Sequence, residues 1–147
     1  MSNSIVMTYA VSGEAFSLAG EASVDLKSRL KLMGIPAAVI RRATIALYEA
    51  EINLAIHSFG GSITVEITAD RINMSVKDDG PGIEDVELAM REGFSTATEK
   101  VRQLGFGAGM GLPNMKKYSD EFSIRSKLGV GTEIDMVVYT TDIPKEN

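Results

Sequence analysis

Four glycines stand at every second position, Gly105, Gly107, Gly109 and Gly111, and run directly into Leu112-Pro113-Asn114-Met115. Alternation this strict leaves backbone N–H groups uncovered by side chains and lets the chain adopt φ > 0 where other residues would clash. Such a stretch can fold around an anion. A helix predicted to begin near Pro113 would point its positive end the same way, which makes phosphate the natural guest. The same run also reads as a hinge. It is neither a Walker A loop, which needs Gly-Lys-Ser/Thr, nor the dinucleotide fingerprint, which follows the first strand of a βαβ unit.

A chain of 147 residues suits a single domain, 1–147, with a real core, and 44% hydrophobic and 24% charged residues are ordinary for a globular protein. The net charge of −5 argues against direct nucleic-acid binding, which needs a basic face. It also means that an anionic nucleotide has to be held by local devices: backbone N–H groups, a helix end and a divalent cation. Cysteine is absent, so disulfides and thiolate metal sites are excluded. No apolar stretch approaches the ~18 residues of a membrane span, and the first residues, Met1-Ser2-Asn3-Ser4, do not resemble a signal peptide. The expectation is a cytoplasmic protein without membrane contact.

Residues 5–11 read as an opening strand. Helical spacing of Ala22, Leu26, Leu30 and Met33 predicts a helix over 20–33, stopped by Gly34. Pro36 opens a second helix, which runs to about residue 58 and is ended by Phe59-Gly60-Gly61. Alternation at Ile63, Val65 and Ile67, then at Ile72, Met74 and Val76, predicts a hairpin across Ala69-Asp70-Arg71. A short helix over 84–91, a mobile flap over 92–104, a helix to about residue 118, a closing hairpin of 122–127 and 133–139, and a polar tail over 141–147 complete the reading. Hairpins dominate, so the sheet should be mixed or mainly antiparallel with helices on one face: an α+β, two-layer sandwich.

Two further segments carry chemistry. Glu49 and Asn53 are four apart on the second helix, so ~40° separates them around its axis. An amide oxygen is a hard neutral ligand suited to Mg²⁺, and a carboxylate can take a proton from an attacking hydroxyl. A solvated polar stripe is the bland reading, set against the otherwise apolar character of this helix. Glu51 lies on another side and reads as an exposed charge, and the single histidine, His57, as a supporting group. The segment Asp78-Asp79-Gly80-Pro81-Gly82-Ile83 has turn composition. Functionally, Asp78 would accept from an exocyclic amine while Gly80 and Gly82 admit a flat base; a carboxylate facing an amine rejects a carbonyl strongly.

The order Glu-x-x-x-Asn on a helix, Asp-x-Gly-x-Gly-Ile after a strand, a flap, Gly-x-Gly-x-Gly-Leu into a helix, then Gly131-Thr132 resembles the GHKL ATPase superfamily: gyrase B, the heat-shock chaperone of that class, sensor histidine kinases and the MutL mismatch-repair protein. The resemblance spans roughly residues 5–139. It is greatest to the small anti-sigma-factor serine kinases, including the switch kinase of the bacterial stressosome, through Gly80-Pro81-Gly82-Ile83, Glu92-Gly93-Phe94-Ser95-Thr96 and Asp120-Glu121-Phe122-Ser123.

The resemblance implies the Bergerat sandwich, ATP and Mg²⁺. It makes Glu49 the base that activates the acceptor hydroxyl, and Asn53 the residue that binds the nucleotide through Mg²⁺. Asp78 would read the adenine amine, with Thr132 supporting it through water. Gly80, Gly82 and Ile83 would shape the adenine pocket. Gly105, Gly107, Gly109, Met110, Gly111 and Leu112 would line the phosphates, Gly105 also hinging the flap. Some anti-sigma kinases carry a γ-phosphate-binding arginine where this chain has Gly107; Arg102 is nearby but not in register.

Two functions follow. In one, the chain is a serine/threonine-protein kinase acting on a STAS-type antagonist in partner switching. In the other, it is an ATP-gated module that captures a sigma factor or another protein, with little phosphotransfer. A sensor histidine kinase fragment fits less well, because there is no phosphoacceptor helix pair. Relatives in the anti-sigma group form homodimers through the first strand and helix, an arrangement left open here.

Overall fold

A computed structural model describes residues 4–12, 20–57, 60–78, 111–127 and 129–141. The expectations for Gly80, Gly82, Ile83, Gly105, Gly107, Gly109 and Met110, for the helix over 84–91 and for the flap over 92–104 lie outside the described residues.

The elements in chain order are β1 (Ile5–Ser12), α1 (Glu21–Leu32), α2 (Ala37–His57), β2 (Gly60–Ile67), β3 (Arg71–Asp78), α3 (Gly111–Tyr118), β4 (Glu121–Lys127) and β5 (Gly131–Tyr139). The strands form one sheet in the order β1-β2-β3-β5-β4, and every pairing is antiparallel. This is the expected α+β two-layer sandwich.

Period-2 alternation sends Ile63, Val65 and Ile67 of β2 and Ile72, Met74 and Val76 of β3 to one face, where all are buried. Ile134, Met136 and Val138 of β5 join them. The helices cover this face with stripes at helical spacing: Ala22, Leu26 and Leu30 of α1, Ala43, Leu47, Ala50 and Leu54 of α2, Leu112 and Met115 of α3. Each large apolar side chain so buried contributes about 1.5–3 kcal/mol. The opposite face is polar: Ser75 donates to Asp135 at 2.9 Å and Arg125 reaches Asp135 at 2.8 Å. No described helix is long and apolar enough to cross a membrane.

Two boundaries differ from expectation for steric reasons. Gly60 and Gly61 do not merely end α2; both belong to β2. Gly61 pairs with Asp78, and a Cβ there would collide with the Lys77 carbonyl oxygen, so only glycine permits this strand approach. The last strand begins at Gly131 rather than residue 133. Gly131 has φ 130°, and a Cβ there would strike the Asp78 carbonyl oxygen. Both neighbours of Asp78 across the sheet are therefore glycine-opened.

Glu51 corrects the sequence reading. It is buried, 2% exposed, and not a surface charge. Its carboxylate accepts backbone N–H groups from Gly20 (2.9 Å), Ala22 (3.1 Å) and Ser23 (2.8 Å). The cap of α1 is Gly20, whose missing side chain cannot satisfy the helix's first donors. Glu51 reaches across from α2 to do so, placing negative charge at the positive helix end. The two helices are pinned together by that acceptor.

Candidate functional site

Asp78 ends the central strand β3. Because Gly131 lets β5 start against it, the backbone N–H of Thr132 donates to Asp78 Oδ1 at 3.1 Å. The Thr132 hydroxyl sits 2.8 Å from the hydroxyl of Ser126, its cross-strand partner. Sequence reasoning paired Asp78 with Thr132; it did not anticipate that the backbone makes the contact while Ser126 holds the hydroxyl. A carboxylate anchored by such a contact is an oriented acceptor for an amine.

Glu49 lies on the side of α2 that meets α3. Its carboxylate is half-buried, and burial raises its pKa; a hydrogen bond from Asn114 pulls in the other direction. Asn114 Nδ2 donates to Glu49 Oε1 at 3.3 Å. Asn114 was missed by sequence reasoning. Its signal was an uncharged amide, a poor helix former, in the first turn after the glycine run.

Asn53 follows Glu49 by one turn and is partly exposed. Its amide oxygen suits a hard cation. Among the described residues no three His, Cys, Asp or Glu side chains converge on a metal position. His57 is the last residue of α2.

The helix α3 starts at Gly111, two residues before the predicted Pro113. Proline is tolerated so early because its missing N–H would be unpaired anyway. Leu112 turns its side chain into the core, 7% exposed, so what it can offer a ligand is backbone. The far end of α3 is anchored through Asp120, whose side chain is 4% exposed: Arg42 of α2 reaches its Oδ1 at 2.7 Å, and the Tyr139 N–H donates to its Oδ2 at 2.7 Å. That aspartate, within a stretch that carried the resemblance, joins α2, the start of β4 and the end of β5.

Residues 38–142 match the family of histidine kinase-, DNA gyrase B- and HSP90-like ATPases. The chain belongs to this ATPase family. Within the family it is similar to the serine/threonine-protein kinase RsbT of Bacillus subtilis (strain 168), 37% identical over 102 residues that make up 67% of this chain and 71% of that protein. It is also similar to the anti-sigma F factors of Thermoanaerobacter sp. (strain X514), 38% identical, and of Caldanaerobacter subterraneus subsp. tengcongensis, 39% identical. Each of those matches spans 99 residues, 64% of this chain and 66% of the relative.

Proposed function

We propose that this chain is an ATP-dependent serine/threonine-protein kinase of the anti-sigma regulatory type, which transfers the γ-phosphate of ATP to a hydroxyl on a partner protein. The observation that carries the reading is Glu49. Its half-buried carboxylate has been made more basic by burial, it lies where α2 meets the first turn of α3, and its hydrogen-bond partner is a neutral amide rather than a cation. A general base requires that combination of raised basicity and fixed aim.

Asp78 accepts the adenine amine and is held to its task by the Thr132 N–H. The first-turn N–H groups of α3, with the glycine run before it in the sequence, favour the phosphates. Asn53 holds Mg²⁺, which when bound supplies charge neutralisation on the phosphates. Glu49 takes the proton of the acceptor hydroxyl; the hydroxyl oxygen bonds to the γ-phosphorus as the bond to the β–γ bridging oxygen breaks, and ADP leaves. Positioning and electrostatics are the main demands of such a transfer. The acceptor class is a serine or threonine of a STAS-type antagonist, in the cytoplasm.

Incubation with γ-labelled ATP, Mg²⁺ and lysate of the source organism tests this. Label should appear on a small protein, and its transfer should slow by about 10²–10⁴-fold with Glu49→Ala. A second reading is favoured by Gly107, which stands where some anti-sigma kinases have an arginine, and by the anti-sigma F factor relatives: ATP-gated capture of a sigma factor with little transfer. Tight ATP binding with no labelled product selects it.

A further inference from the structure

The contact between α2 and α3 contains a polar pair that the apolar packing around it does not require. Asn114 Nδ2 donates to Glu49 Oε1 at 3.3 Å, across the junction of two helices otherwise joined through buried residues such as Leu112, Met115 and Ala50. An ionised carboxylate only accepts, so the amide must present its nitrogen. A glutamate has three rotatable bonds, and a half-buried one without a partner would sample several positions; one hydrogen bond selects among them.

We propose that Asn114 is a positioning residue for phosphoryl transfer: its amide, carried on the first turn of α3, holds the Glu49 carboxylate in the orientation from which it serves the acceptor hydroxyl. This role rests on the kinase reading above. The choice of amide is chemically specific. A lysine or arginine at this point would orient Glu49 equally well but would stabilise its charge and weaken it as a base. A neutral donor fixes the carboxylate at smaller cost to basicity. Among the described residues only Oε1 is engaged, which leaves Oε2 to receive a proton. The length of the bond, 3.3 Å, leaves room to tighten when nucleotide and acceptor are bound. Because Asn114 follows Gly111 by three residues, the base is aimed by the same helical turn that ends the glycine run.

A double-mutant cycle tests the role, read as the initial rate of label transfer to the small protein that wild type phosphorylates, beside titration with mant-ATP. Alanine is the better helix former, so Asn114→Ala retains α3. It should slow transfer by about 10- to 100-fold, the scale of losing a catalytic group's alignment, and change mant-ATP affinity by less than about threefold. In a Glu49→Ala background the same change should slow transfer no further, since the group it aims is already gone.

An Asn114→Ala variant as fast as wild type overturns the positioning role and leaves the kinase reading standing. So does a loss of equal size with and without Glu49, or a loss of mant-ATP affinity that accounts for the rate. Wild-type protein that transfers no label, or a transfer that Glu49→Ala does not slow, overturns the kinase reading and the positioning role with it.

Discussion

The backbone N–H of Thr132 donates to Asp78 Oδ1 at 3.1 Å, across two strands whose meeting depends on Gly131. That contact aims a carboxylate from the centre of the sheet, and it gives the nucleotide reading its sharpest consequences.

Asp78→Asn keeps an oxygen for Thr132 and loses the charge. A hydrogen bond to a charged group contributes about 1.5–3 kcal/mol, so ATP affinity should fall at least about tenfold. Discrimination between ATP and GTP should narrow, because an amide can face a carbonyl. Competition of ATP and GTP against mant-ATP, in wild type and variant, measures both effects.

Gly131→Ala should injure the same site from the other side. The backbone is at φ 130°, and the new Cβ would strike the Asp78 carbonyl oxygen. Stability should fall by more than about 1 kcal/mol, and ATP affinity should drop with it. Urea denaturation followed by nucleotide titration of the folded fraction checks the pair.

Glu49 links activity to pH. Burial raises its pKa above the ordinary carboxylate value, opposed by the hydrogen bond from Asn114. A base works when deprotonated, so transfer should rise with pH through a limb displaced upward from the ordinary glutamate value. Glu49→Gln should remove the limb and slow transfer by about 10²–10⁴-fold. Stability follows the opposite sign. A folded pKa above the unfolded one favours folding at low pH, where the group is protonated, and that contribution is lost as pH rises through the raised value. Glu49→Gln should therefore melt higher than wild type at neutral pH and lose that advantage in acid. Melting curves across the two ranges decide it.

Glu51 predicts the reverse cost. Three N–H groups at the start of α1 depend on one buried carboxylate. Glu51→Ala leaves them without an acceptor at about 1–3 kcal/mol for each of the two buried donors, so a loss of at least about 2 kcal/mol is expected, and a smaller one for Glu51→Gln. The urea midpoint should shift at constant m-value.

The contrast between Glu49 and Glu51 shows where a sequence can be read and where it cannot. The alternation of Ile72, Met74 and Val76 revealed both the strand and its buried face, because one apolar face and period 2 admit one register. Pro36 marked the start of α2, and Gly34 the stop before it, through backbone rules that act locally. Asp78 and Thr132 were paired by a resemblance that spans most of the chain. Nothing near Glu51 marks it as buried: its partners are backbone groups 28 to 31 residues away, on a helix whose cap lacks a side chain. The one available clue was that Gly20 leaves donors for another element to satisfy. Asn114 and Asp120 were opaque for the same reason, since the partners that give them meaning, Glu49 and Arg42, are decided by helix packing.

The central claim is that an adenine nucleotide binds where Asp78, Thr132, Glu49, Asn53 and the start of α3 lie. Titration of isotopically labelled protein with Mg²⁺ and ATP, followed by NMR, tests it most directly. The backbone amide of Thr132 and the side-chain amides of Asn53 and Asn114 should shift, while Ser75 and Asp135 on the outer face of the sheet should not. Shifts centred on the outer face, or none at saturating ATP, would contradict the account.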